Sequence, residues 1–233
     1  MKIEFFSSVN GVAETYPVKP AQQVLPNWVA QARLEYKSND PANLNIMRCP
    51  GIVDILRTGY VVTAWHDIMV NSDGKTLQAS APSSDMEQLL GHPPIQIQQG
   101  DSIAKHLPTR PWSNADILKI NTPWHIRSSV PFMMIPLPYT ESFEFECCTG
   151  ILDPSVSSEI NIQGYINGQG NILIRAGTPL AQLVPMTDKK YTHEVRDANA
   201  SDLKWLQKRK YLNNLGFILN KGIVKNAYRR YFS

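Results

Sequence analysis

The carboxylate of Asp153, in the stretch GILDPSVSSEI (residues 150–160), is suited to one of two tasks. It can act as a general base that activates water, or it can accept backbone N–H groups and fix a β-turn. An aspartate followed at once by Pro154 and Ser155 favours the turn. Other chemistry-bearing residues give little to build on. The five histidines, His66, His92, His106, His125 and His193, show neither HxxH nor HExxH spacing, and the Cys147-Cys148 pair has no CxxC partner, so no metal site is expected. His66, Asp67 and the distant His125 would form a facial triad only if folding gathered them. There is no GxSxG elbow, P-loop or GxGxxG, and GYINGQGN lies between strand patterns with no helix behind it to receive a phosphate. Ser128-Ser129 has no base near it in sequence. Glu141, Glu144 and Glu146 interleave with Phe143 and Phe145, which reads as a strand with one solvated and one buried face, although clustered carboxylates also suit a divalent cation. Trp124, Phe132, Met133, Met134 and Tyr139 read as core before they read as a base-binding surface.

Elements that would position these residues are short. Of 233 residues 42% are hydrophobic and 18% charged, enough for one large domain with its own core. The 17 prolines and 13 glycines are spread along the chain, which argues for many strands joined by turns and against a helical bundle. No run of about 18 apolar residues occurs, and a soluble chain without a cleaved leader, away from membranes, is expected. Three cysteines, two of them adjacent, make no disulfide framework and fit a reducing compartment. An opening strand precedes one short amphipathic helix over PNWVAQARLEY, with Trp28, Val29, Ala32 and Leu34 near helical spacing. From Asn45 to Met186 the β-branched runs predict strands, among them IVDILRTGYVVTAW, a hairpin at Ser72-Asp73-Gly74, and a meander over residues 150–186. After His193 a helix is predicted, capped by Asp197, Asn199 or Ser201, facing inward through Leu203, Leu206, Tyr211 and Leu215 and ended by Gly216. From Ser201 onward eight basic residues face a single acid, Asp202, whereas the rest of the chain carries 15 basic and 19 acidic residues. Such a tail is a solvated or docking face, or a nucleic-acid-binding arm.

The order Gly150, Asp153, Glu159, Ile160, followed by Gly177, Ala181, Gln182 and Leu183, resembles the dUTPase and dCTP deaminase superfamily, whose members carry GxIDxxYxGEI and a later Gly corner with IAQL. The resemblance covers about one sixth of the chain and implies a β-clip, usually trimeric. It also implies a water-activating role for Asp153; Gln163, Tyr165 and Gln182 are candidate ligand contacts, and in an enzyme Arg127 or Arg175 would replace phosphate contacts that the matching region lacks. Three departures weaken the chemistry. Val156 stands where the dUTPases have an aromatic, Gln163 stands where the deaminases have their glutamate, and IPLPYTESFEFECC holds neither arginine nor a Gly-Ser loop. The segments INTPWHIRSSVPFMMIPLPYT, GILDPSVSSEI and KYLNNLGFILNKGIVKN are also similar to a family of uncharacterised tailed-bacteriophage proteins.

Together these readings predict a mainly β protein: a β-clip or jelly-roll-like antiparallel domain over 1–196 with a short N-terminal helix, then a basic helical tail over 197–233. The expected function is that of a non-enzymatic phage structural or interaction protein, in the host cytoplasm or the virion. It would be homo-oligomeric, with a trimer as the state the resemblance implies, and would contact other virion proteins. The tail residues Lys204, Lys208, Arg209, Lys210, Arg229 and Arg230 are its candidate interaction arm, with nucleic acid as one partner. The alternative is a divergent deoxynucleotide pyrophosphatase or deaminase with Asp153 as base. No cofactor is expected for the first reading and Mg²⁺ for the second.

Overall fold

The computed structural model describes residues 1–37, 45–81, 85–102, 104–109 and 112–218, with side chains up to residue 209. In chain order the first half holds β1 (Lys2–Ser7), α1 (Val12–Thr15), β2 (Lys19–Pro20), α2 (Trp28–Lys37) and α3 (Pro50–Arg57). It continues with β3 (Tyr60–Thr63), β4 (Ile68–Ser72), β5 (Leu77–Ser80), α4 (Asp85–Leu90) and β6 (Ile95–Gln98). The second half holds the long β7 (Ser113–Arg127), β8 (Phe132–Ile135), β9 (Phe145–Cys147), β10 (Gly150–Leu152) and β11 (Glu159–Asn167). The last elements are β12 (Gly170–Ile174), β13 (Pro179–Pro185), β14 (Thr192–Asp197) and α5 (Ala200–Ile218).

Three sheets result, almost wholly antiparallel, as the sequence predicts. The largest runs β14-β1-β7-β11-β9, with β6 sharing with β1 one edge of β7; only the β1 to β14 pairing is parallel. The second runs β10-β8-β13-β3-β2 and the third β12-β4-β5. Alternation decides which residues meet. On β1, Ile3 and Phe5 face the second sheet, and the Phe5 ring lies 4.8 Å from Tyr60 and 6.3 Å from Phe132. Trp124, Ile126, Ile160, Ile162 and Leu183 complete this core and are fully buried. Each such side chain contributes about 2 kcal/mol by leaving water. Glu4 and Phe6 point to the opposite face, where Phe6 pairs with His125 and Glu4 with Arg127 across β7.

Several local expectations change. The 150–186 strands form no meander: β10 and β13 belong to the second sheet, β11 to the first and β12 to the third. Short connections carry the chain from one sheet to the next, so none of these four strands pairs with its neighbour in sequence. The run IVDIL, predicted as strand, is the helix α3, begun by Pro50 in its first turn. THEVRD leads into the predicted C-terminal helix as expected, but is itself the edge strand β14. The α2 helix and the Asp73-Gly74 turn stand as predicted, with Asp73 Oδ1 accepting the Lys75 and Thr76 amides at 2.7 and 2.6 Å.

Candidate functional site: the Asp153 turn and the helix over it

Between β10 and β11 the chain turns through Asp153-Pro154-Ser155. Asp153 Oδ1 accepts from the Ser155 amide at 2.9 Å and its hydroxyl at 2.6 Å, while the Asp153 carbonyl accepts from the amides of Val156 and Ser157, both at 2.9 Å. Four donors within four residues thus converge on one aspartate, the pattern of an Asx turn. Pro154 is buried, and its carbonyl accepts from Arg209 Nη2 at 2.5 Å.

Arg209 reaches the turn because α5 lies across the outer face of the first sheet. Asn199 caps this helix: its Oδ1 accepts from the Ser201 and Asp202 amides at 2.9 and 3.1 Å, and Asp202 Oδ2 accepts from the Asn199 amide at 2.9 Å. That reciprocal pair is a capping box with aspartate in the third position. Asp202 is wholly buried and also receives Arg196 at 2.5 Å and Arg127 at 2.9 Å; Arg127 bridges on to Glu4 at 3.1 Å. Burial alone would raise the Asp202 carboxyl, but hydrogen bonds from Arg196, the Asn199 amide and Arg127 bring it down to about 2. Aromatic rings lie between the guanidinium groups. Arg127 lies 5.2 Å from the Phe6 ring and 4.7 Å from the Trp205 ring, and Arg209 lies 4.5 Å from the same Trp205 ring.

The inward stripe of α5 is therefore Asp202, Trp205, Leu206 and Arg209, at helical spacings of three, one and three, and it is half polar. Leu203, expected inside, is 45% exposed. Ion pairing and ring stacking place this helix, so a search for an apolar stripe selects the wrong face. Gly216 does not end the helix, which runs to Ile218. Asp197, another candidate cap, instead caps α1 by accepting from the Gly11 and Ala13 amides at 2.7 and 3.1 Å.

His125 lies beneath α5, its ring stacked 5.5 Å from Phe6 and its Nδ1 3.5 Å from Ser158 Oγ. Burial lowers its pKa to about 4, outweighing the attraction of Glu159. His66 is buried elsewhere, with Nδ1 2.7 Å from the Asp67 carbonyl, and among the described residues no group of three metal-ligating side chains exists.

The remaining predicted contacts are scattered. Gln182 is buried, and its Nε2 donates to the carbonyls of Ile55 at 2.7 Å and Thr58 at 2.6 Å, closing the end of α3. Tyr165 donates to the Pro108 carbonyl at 3.0 Å. Gln163 sits mid-strand, its carbonyl accepting from Cys148. Arg127, predicted as a phosphate contact, is held in the Glu4 and Asp202 pairs. Arg175 is exposed. Of the tail residues, Lys204 and Lys208 are exposed, whereas Arg209 is withdrawn from the basic face because its guanidinium is enclosed between Trp205 and Pro154. The Lys210 side chain, Arg229 and Arg230 lie outside the described residues.

Two neighbouring clefts flank the loop between β8 and β9. The larger, of about 430 Å³, is walled by Tyr139, Phe143, Glu144, Glu146, Leu173 and Arg175; the smaller, of about 250 Å³, has Gln182 in its wall. The loop is anchored to α2: Glu141 accepts from Asn27 and from the Trp28 amide, and Trp28 Nε1 donates to the Tyr139 carbonyl at 3.0 Å. Tyr139 adopts a left-handed φ of 57°, rare for a residue with a side chain. Phe143, expected on a buried strand face, is 71% exposed on the cleft rim.

No family model, no curated protein and no solved structure matches this chain.

Proposed function

We propose that this chain is a non-enzymatic structural or interaction protein of a tailed bacteriophage, built on a dUTPase-like β-clip and working as an oligomer in the infected cell or the virion. One observation carries the reading: the turn that a nucleotide enzyme of this kind would keep open to substrate is closed by the chain itself. Asp153 Oδ1 holds Ser155, and Arg209 of α5 holds the Pro154 carbonyl. Of the side chains that would meet a triphosphate, the cation Arg127 is neutralised by Glu4 and Asp202, and the neutral Gln182 is turned toward the end of α3. Oligomerisation is supported by an apolar row across the outer face of the second sheet, where Met133 stands between Ile151 and Val184 on adjacent strands; Ile151 is 61% exposed.

The test is release of pyrophosphate and ammonia from a panel of deoxynucleotides in the presence of Mg²⁺, with wild type and Asp153→Ala side by side. Neither protein is expected to turn over any member of the panel. Turnover by the wild type that vanishes in the variant would establish Asp153 as a base and overturn the proposal.

A further inference from the structure

The 430 Å³ cleft has the size of a ligand groove, yet its rim exposes large apolar side chains: Phe143 at 71%, Tyr139 at 53% and Leu173 at 45%. Glu144 and Glu146 stand in the same wall, and Arg175 is the cation among its described lining residues. A hydrogen bond from Ser142 at 2.5 Å, with help from backbone amides, lowers the Glu144 pKa, so the carboxylate is charged at neutral pH. Aromatic rings beside carboxylates suit a polypeptide segment in which cations alternate with apolar side chains, because the rings receive both and the carboxylates pair the cations.

Residues 219–233, NKGIVKNAYRRYFS preceded by Leu219, have that composition. They carry Lys221, Lys225, Arg229 and Arg230 among Ile223, Val224, Tyr228, Tyr231 and Phe232, without one acidic residue. Fifteen residues span up to about 50 Å, against a radius of gyration of about 17 Å for a domain of this length. A segment of that length is long enough to reach the cleft of its own chain, or of a second copy, from the end of α5. We infer that the acidic, aromatic cleft between the β8 to β9 loop and the β12 to β13 corner is the docking site of the basic C-terminal segment, residues 219–233. The inference goes beyond the functional reading above and stands whether or not the chain turns over nucleotides.

Zero-length carbodiimide coupling of the full chain, followed by peptide mass mapping, tests it. Lys2 is the internal control, since its Nζ lies 2.7 Å from Glu4 and 2.6 Å from Glu194. The expected result is coupling of Lys221 or Lys225 to Glu144 or Glu146 at low salt, reduced at least tenfold by about 0.5 M NaCl and by Arg229→Glu/Arg230→Glu, which leaves both lysines in place. Mixing isotopically labelled and unlabelled chains assigns the segment to the same or a neighbouring copy. If the Lys2 links form while the tail lysines couple elsewhere or not at all, the assignment fails. If tail links to Glu144 or Glu146 survive the charge reversal undiminished, the electrostatic basis fails.

Discussion

Replacing Gln182 by alanine would leave the Ile55 and Thr58 carbonyls at the end of α3 without the amide that now satisfies both. Loss of two part-buried hydrogen bonds should cost about 2 kcal/mol in urea unfolding, and Gln182→Glu should cost more because a carboxylate would face the two carbonyls. The same residue-scale logic gives a pH dependence. His125 titrates near 6.5 unfolded but only near 4 in the fold, because burial disfavours its charged form. Below pH 6.5 the unfolded chain binds a proton that the folded one refuses, so stability falls as pH drops from 6.5 to 4, by about 3 kcal/mol at most. Asp202 adds a second, lower window: its carboxylate contributes fully above its ordinary value near 3.8 and loses that contribution as pH falls toward 2. Replacing His125 by a neutral isostere such as glutamine should flatten the upper window in a series of thermal melts and leave the lower one.

The docking of α5 is decided at the scale of the element. Asp202→Ala leaves Arg127 and Arg196 without the buried carboxylate they share, and should cost about 3 kcal/mol or release the helix; Lys204→Ala/Lys208→Ala, on the exposed face, should change stability by less than about 0.5 kcal/mol. Limited proteolysis distinguishes the two, since only the first variant should expose the residues that follow Asn199 to cleavage. The turn from α3 into β3 is equally constrained. Gly59 has φ +80°, and a Cβ there would stand 2.1 Å from the Leu183 carbonyl oxygen, so Gly59→Ala should cost more than about 2 kcal/mol. These cases show what the sequence can and cannot convey. The strands β4 and β11 were legible because alternation reports burial directly, and β7 and β13, buried on both faces over most of their length, because they carry short apolar runs bounded by turn residues. The helix α3 was not, because its cluster of Ile52, Val53, Ile55 and Leu56 is equally a strand pattern and the Pro50 signal alone must arbitrate. The β14 strand, polar and paired on one edge, carries no pattern at all. The Asp153 turn could be read locally, whereas its closure by Arg209, 55 residues away, could not.

On the scale of the whole molecule, the strands between residues 150 and 186 join all three sheets, so they act as a brace for the fold instead of forming a separable unit. The exposed Ile151, Met133 and Val184 row leads to a direct expectation: light scattering should report an oligomer, and Ile151→Glu should lower its mass while leaving the fold intact, since Ile151 is on the solvent side of β10. A monomeric wild type would remove the assembly from the proposal. The central claim, that Asp153 is an architectural residue of a closed turn, is tested most directly by comparing wild type, Asp153→Asn and Asp153→Ala in thermal unfolding and nucleotide turnover on the same samples. Asparagine keeps the Oδ1 acceptor for Ser155 but has no proton-accepting carboxylate. Near-wild-type stability is expected for Asp153→Asn, a loss of about 1–2 kcal/mol for Asp153→Ala, and no turnover by any of the three. A wild type that hydrolyses or deaminates a deoxynucleotide, with Asp153→Asn fully stable yet inactive, would contradict that claim.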